Sequence, residues 1–372
     1  MNKKLMAAAV AGALAVPAVA FAQSSVTLYG TIDTGIRNES KVRTATGDGS
    51  LTAITDGLNT TNRWGMKGSE DLGGGLNANF TLEGQYSSDT GVGPASNGLF
   101  QRTSKVGLSS SGGGSFDLGR DYTVNFKEFG IYDPMSYNYT GITPNVRFTA
   151  GVRSSNMITA AYTANGFNIR GEYALGEVVG SSSDGSRFGL GADYAVGGLK
   201  VGGAYSTTNN TQNTGKQKDA TLGASYGLND WTFKLGWSQT QWDSTWATGG
   251  GTLNGGGGNG GWYAASATGQ LDKARMISLG VGYNFSSRLA GRIGYYDIKS
   301  TGFASADDGK LKNTILDLTY SLSKRTSVYA EIDHMGLTAS AVGALTPDVN
   351  TGGTGGVNDG ASGFGVGIAH KF

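Results

Sequence analysis

The mature part of the chain alternates almost from its first residue. Val26, Leu28, Ile32 and Ile36 fall on one parity, and Thr27, Tyr29, Thr31, Asp33 and Arg37 fall on the other. A period of two is the mark of a strand with one apolar and one polar face. From Arg63 to Glu70, Trp64 and Met66 oppose Arg63 and Lys67, and from Leu76 to Tyr86, Ala78, Phe80 and Leu82 oppose Asn77, Asn79, Thr81 and Glu83. Phe167, Ile169 and Tyr173 later oppose Asn168, Arg170 and Glu172, while Phe188 and Leu190 oppose Arg187 and Asp193. The pattern continues through Trp231–Trp237, Ile277–Phe285 and Leu316–Tyr320, and ends with Phe364, Val366, Ile368 and Phe372 on one side. Counted this way there are roughly sixteen strands, each near the nine to eleven residues that cross a bilayer.

The connections alternate too. Asp71–Gly75, Ser110–Gly114, Ala164–Gly166, Val196–Gly198, Leu228–Asp230, Ser286–Ser287 and Ser323–Lys324 are short, whereas Asn38 to Asn62, Gln241 to Asp272 and Leu337 to Ala361 are long. Seven short turns and eight longer loops put both termini on the short-turn side. That layout predicts an all-β, antiparallel transmembrane β-barrel of an even number of strands. A soluble β-sandwich also alternates, but gives no reason for loop lengths to do so.

Composition narrows the class further. Asn2, Lys3 and Lys4 precede an apolar run from Leu5 to Val16, and Ala20-Phe21-Ala22 offers a small-residue cleavage site, so 1–22 reads as a signal peptide and 23–372 as one barrel domain. Losing Lys3 and Lys4 takes the basic count from 29 to 27 against 28 acids, a mature net charge of −1. Such balance excludes nucleic acid as a partner, since its binders carry a basic surplus. With no cysteine there is no disulfide or thiolate metal site, and no cofactor is expected. Only 15% of residues are charged and mean hydropathy is −0.23, so a membrane protein is compatible only if its lipid contact alternates.

One connection stands apart. Gly119 to Arg153 joins two strand-like segments with Asp121, Lys127, Glu128, Asp133 and Arg147 among the aromatics Tyr122, Phe126, Phe129, Tyr132, Tyr137 and Tyr139. Its length predicts a functional loop without regular structure, folded into the barrel mouth and narrowing it. The polar parity of the strands carries many charges, Lys105, Lys200, Lys234, Arg292, Asp317, Glu331 and Asp333 among them. A dry core cannot hold so many ions, each costing several kcal/mol unpaired, so the lumen is expected to hold water. The glycine runs Gly249–Gly251 and Gly255–Gly258 lack the Lys-Ser/Thr of a phosphate loop and read as a flexible tip. The two histidines, His334 and His370, have no serine and carboxylate pattern around them, and read as rim residues rather than a triad.

Five segments carry a family resemblance. Gln23-Ser-Ser-Val-Thr-Leu-Tyr-Gly-Thr-Ile-Asp, Asn62-Arg-Trp-Gly-Met-Lys-Gly-Ser-Glu-Asp-Leu-Gly-Gly-Gly-Leu, Phe116-Asp-Leu-Gly-Arg-Asp, Leu322-Ser-Lys-Arg-Thr-Ser-Val-Tyr and Gly365-Val-Gly-Ile-Ala-His-Lys-Phe resemble the general porins of β-proteobacteria. The resemblance implies about 16 strands, a homotrimer in the outer membrane, and a third loop folded inward as a constriction. It further implies that Arg63, Arg102 and Arg153 face acids on or near that loop, with Glu83 and Asp133 as the partners. Asp121 and Glu128 are further candidate lining acids. Arg102 shares parity with Val106 and Leu108, so either the loop covers those two from inside or a bulge resets the register.

The expected activity is passive diffusion of ions and small hydrophilic solutes past a transverse field, with a mild anion preference because three arginines meet two clear acids. A substrate-specific channel of the same architecture, or an outer-membrane hydrolase, are the alternatives.

Overall fold

The computed structural model describes residues 25–44, 47–93, 98–139, 151–246, 271–302, 308–337 and 360–372. The expected leader and the glycine runs at 249–258 lie outside them, as does Arg147.

The alternating segments form one antiparallel sheet of seventeen strands. In order these are β1 (Ser25–Thr44), β2 (Gly47–Asp56), β3 (Arg63–Gly73), β4 (Leu76–Gln85), β5 (Thr103–Ser110), β6 (Gly114–Tyr122), β7 (Arg153–Ala164), β8 (Phe167–Ala174) and β9 (Arg187–Val196). There follow β10 (Leu199–Asn209), β11 (Lys216–Leu228), β12 (Trp231–Trp242), β13 (Leu271–Asn284), β14 (Leu289–Gly302), β15 (Gly309–Ser321), β16 (Thr326–Leu337) and β17 (Gly360–Lys371). A single helix among the described residues, α1 (Val124–Tyr132), sits between β6 and β7.

The sheet closes on itself. β1 pairs with β17 from Thr31 opposite Lys371 to Glu39 opposite Gly363. Its other edge takes β3 over Ser25–Thr31 and β2 over Thr34–Thr44. β2 and β3 therefore share one lane, and seventeen segments make a barrel sixteen strands around. Residues 57–62 interrupt that lane where β1 has only Ile32 and Asp33 to match them.

Here the sequence reading of Asn38 to Asn62 as one long loop needs correction. β1 continues to Thr44 and β2 returns from Gly47, so most of the span is hairpin. Its polar residues, among them Asn38, Glu39, Ser40 and Asp48, hid the strands. Ladder hydrogen bonds need no apolar face once a strand has left the bilayer.

The two faces are inverted relative to a soluble protein. Val26 is 66% exposed and Leu28 61%, with Phe188, Leu190, Leu222 and Ile368 also turned outward, while Asp33, Arg37, Glu83, Asp193, Asp317 and Glu331 are buried inside. Large apolar groups outside and ions inside make sense where the outer medium is hydrocarbon. Among the described residues no helix is long and apolar enough to cross a membrane. Seven tight turns join strands at the end that holds both termini. At Asn165-Gly166 the φ values of 50° and 82° give the twist that a two-residue hairpin needs. Near that end Trp231 packs on Tyr283 at 4.5 Å and Phe167 on Tyr194 at 4.3 Å, aromatic pairs suited to the headgroup level.

Closure makes a direct prediction. Removing Gly363–Phe372 leaves β1 and β16 with unpaired edges, each open backbone group costing several kcal/mol in lipid. The truncated protein should lose the folded form that migrates differently before and after boiling in gel electrophoresis. Retention of that form would contradict the pairing of β1 with β17.

Candidate functional site

The segment after β6 is not without regular structure. Thr123 caps α1, its hydroxyl accepting from the Phe126 amide at 3.2 Å. A Glu172 carboxylate oxygen accepts from the Val124 amide at 2.7 Å, a negative group at the positive end of the helix. Val124, Asn125, Glu128, Phe129 and Tyr132 are buried, a spacing that describes one helical face. Two of the five are polar, which is why apolar periodicity alone does not reveal the helix.

That face lies on the inner wall along a track of glycines. Gly202 on β10 pairs with Gly223 on β11, which pairs with Gly236 on β12, and Gly280 on β13 pairs with Gly294 on β14. A Cβ at Gly202 or Gly223 would meet Tyr132, one at Gly236 would meet Phe129, and one at Gly280 or Gly294 would meet Pro134. The absence of side chains lets the segment approach the backbone of five successive strands. Farther along, the Tyr139 amide donates to the Asn59 carbonyl at 2.8 Å, and its ring meets Tyr329 edge-on at 6.0 Å. The 57–62 interruption thus supports the far end of the segment. Its Thr60 amide bonds to Asp33 at 2.7 Å, and Asp33 also accepts from Tyr329 at 2.5 Å.

The three arginines converge on one carboxylate and one phenol. Arg102 Nε lies 2.6 Å from Glu83, and Arg63 Nε lies 3.8 Å from the same group. The Tyr122 hydroxyl accepts from Arg102 at 2.7 Å and from Arg153 at 2.7 Å. Arg153 also sits over the Tyr122 ring at 4.3 Å, and the stack continues through Phe126 to Tyr137 with centroid spacings of 4.9 and 4.1 Å. Tyr137 in turn donates to the Phe126 carbonyl at 2.7 Å. Burial, with Asp133 nearby, pushes its hydroxyl well above the ordinary phenol range, so it stays protonated as a donor. Arg102 precedes β5 rather than lying in it, its amide bonded to the Glu83 carbonyl at 3.1 Å. Val106 and Leu108 simply face outward. Neither a covering loop nor a bulge is needed.

The other acids have partners elsewhere. Asp121 lies 2.9 Å from both Lys105 and Lys127. Glu128 pairs with Arg170, which also holds Asp193 at 3.0 Å. Asp133 is buried on the far wall, accepting from Tyr296 at 2.8 Å and from the Tyr137 amide at 2.7 Å. The arrangement therefore groups Arg63, Arg102, Arg153 and Glu83, and places Asp121, Glu128 and Asp133 in separate networks. His334 and His370 face outward beside Ser362 and Thr326, each 2.9 Å away. No group of three or more possible metal ligands occurs among the described residues.

Sequence reasoning passed over Tyr122 as one aromatic among six, although it holds two guanidinium groups side by side. It also passed over Arg187, buried at 1% exposure, which bonds Glu172 at 2.6 Å and Ser206 at 2.8 Å beneath the start of α1. The recurrence of glycine on the polar parity of β9–β14 was the one available signal for where the segment rests.

The glycine track can be tested directly. A Gly223→Leu side chain occupies the place of the Tyr132 ring, whereas in Gly227→Leu on the same strand the new Cβ meets only the Gly198 carbonyl oxygen, at an ordinary contact distance of 3.9 Å. Limited proteolysis within 124–139 should accelerate in the first variant and stay at the wild-type rate in the second. Equal protection of both would show that α1 does not rest on this track.

Known proteins point the same way as the geometry. Residues 7–340 match the model of a Gram-negative porin. The chain is 32% identical to an outer membrane porin protein of Bordetella pertussis, over 89% of this chain and 93% of that one. It is also 32% identical to outer membrane porin protein 32 of Delftia acidovorans, over the full length of both. Among solved structures, an anion-selective porin from Comamonas acidovorans superposes with a TM-score of 0.71 at 27% identity, over 94% of this chain and all of that one. The closed barrel agrees with the fold of the solved porin, and with these matches the chain belongs to the Gram-negative porin family of the outer membrane.

Proposed function

We propose that this porin assembles as a homotrimer of water-filled channels. Ions and small hydrophilic solutes diffuse through passively, with a mild preference for anions and without catalysis. Buried charge on the inner wall supports an aqueous lumen, since ions at this density need water as well as partners. The position of 124–139 against β9–β14 supports a narrowing there, and the helix contacts with the wall support a fixed rather than a swinging segment. Trimer contacts would cover part of the apolar outer face of the first strands, where Val26, Leu28, Ile32 and Ile36 stand exposed.

One observation carries the ion preference. Arg63, Arg102 and Arg153 gather around the single carboxylate of Glu83, while Asp121, Glu128 and Asp133 are engaged with other groups. The anion-selective character of the porin from Comamonas acidovorans supports the same sign. Three guanidinium groups against one carboxylate leave two uncompensated charges, each worth roughly 2–4 kcal/mol at about 4–8 Å in an effective dielectric near 20. Mobile salt screens them over about 10 Å at 0.1 M, so the preference should fade as salt rises.

Reversal potentials under a salt gradient test this reading. Wild-type channels should favour anions at about 0.1 M salt, and Arg63→Gln combined with Arg153→Gln should move the potential toward cation selectivity. An unchanged potential in the double variant would remove these arginines from the ion path.

A further inference from the structure

At the turn end of the lumen lies a cavity of about 540 Å³ between the 57–62 interruption and the inner faces of β14–β17. Five cations line it, Arg63, Arg292, Lys324, Arg325 and Lys371, against one carboxylate, Asp317. That carboxylate is already held by Arg292 through two bonds of 2.8 and 3.1 Å. Lys324, Arg325 and Lys371 belong to no ion pair among the described residues. Hydroxyl-bearing residues of β15, the β15–β16 turn and the start of β16, namely Thr319, Ser321, Ser323, Thr326 and Ser327, line the same cavity.

The chain topology forces this crowding. Thr326 pairs with His370, so Arg325 and Lys371 are brought side by side, and the Lys371 amide bonds to the Arg325 carbonyl at 2.8 Å. Lys371 shares the inward parity of Ala369, whereas Ile368 and Phe372 point outward. Like charges on adjacent strands are destabilising, and an acid at any of these positions would relieve the strain. Nothing in the folding of the barrel requires three free cations there. A neighbouring cavity of about 270 Å³ extends the positive wall, sharing Arg292 and adding Lys234, which bonds only to neutral acceptors, the Asp133 carbonyl and the Ser136 hydroxyl.

We propose that this turn-side vestibule is a binding site for small multivalent oxyanions, of the class of pyrophosphate or a tricarboxylate, separate from the arginine cluster at Tyr122. Ammonium and guanidinium groups around a hydroxyl-rich, water-accessible cavity suit an anion carrying three or more charges. A monovalent anion meets the same cations one at a time and is held weakly. Arg63 lines both this cavity and the Glu83 group, so a bound oxyanion sits on the route to the narrowing. The site makes block of the channel asymmetric: multivalent anions are captured more readily from the turn side than from the loop side. The inference rests on the reading of the lumen as an open aqueous passage.

The test uses purified full-length protein and two readouts. In single channels at about 0.1 M salt, where screening extends about 10 Å, pyrophosphate is added to each side in turn. It should reduce the current at concentrations about tenfold lower from one side than from the other. The combined Lys324→Gln, Arg325→Gln and Lys371→Gln variant, shown to be folded by its shift on boiling, should lose that difference. Binding of pyrophosphate to the protein in detergent, followed by phosphorus NMR, should weaken about tenfold in the same variant. Equal effects from both sides, or wild-type binding in the variant, would overturn the vestibule site. Binding that persists in a protein passing no current would leave the site standing and overturn the channel reading instead.

Discussion

Every backbone amide and carbonyl that meets hydrocarbon must find a partner within the protein, and this requirement governs the molecule. Pairing β1 with β17 meets it by leaving no free edge. Once the sheet is closed, side chains alternate between lipid and lumen, and the inversion of apolar and charged residues follows. The charges that would be intolerable alone in a dry core are held in ion pairs across the inner wall. Arg37 with Glu331 and Asp333, Arg170 with Glu128 and Asp193, and Arg292 with Asp317 are pairs of this kind.

A closed sheet alone would leave a wide tube, and the second element of the design is the segment that occupies it. α1 is too short to be stable on its own merits, at nine residues with a glycine at position 130. Tertiary contacts hold it. Glu172 meets its first amide, Arg187 braces Glu172, Arg170 takes Glu128, and the glycines of β10–β14 let Tyr132, Phe129 and Pro134 settle on bare backbone. The same segment then presents Tyr122 at its root, where one hydroxyl and one ring face hold Arg102 and Arg153 together. Packing on one wall and charge on the other are thus set by a single stretch of chain.

The barrel was legible in the chain because its signal is local: parity, turn residues and loop lengths are all read within about ten residues. Where polarity replaced alternation, as at Asn38–Asp56, the strands escaped notice although their ladder is regular. The site was legible only in part. Parity put Arg63 and Glu83 on the inner face, and only the family resemblance implied that they group with Arg102 and Arg153, yet the meeting of Arg102 and Arg153 on Tyr122 depends on residues 20 and 31 positions apart in sequence. Asp133 is the clearest case of a residue whose neighbours no local pattern reveals. It ends a helix that the apolar pattern did not announce, and its partner Tyr296 is 163 residues distant.

The proposed function depends most on a lumen of continuous water between this wall and the 124–139 segment. Single-channel recording of the purified protein in planar bilayers bears on that directly. Discrete, ohmic conductance steps that grow in proportion to bulk salt conductivity at high salt are the result an aqueous pore predicts. Protein that inserts and passes no current, or whose conductance saturates at low salt, would contradict it.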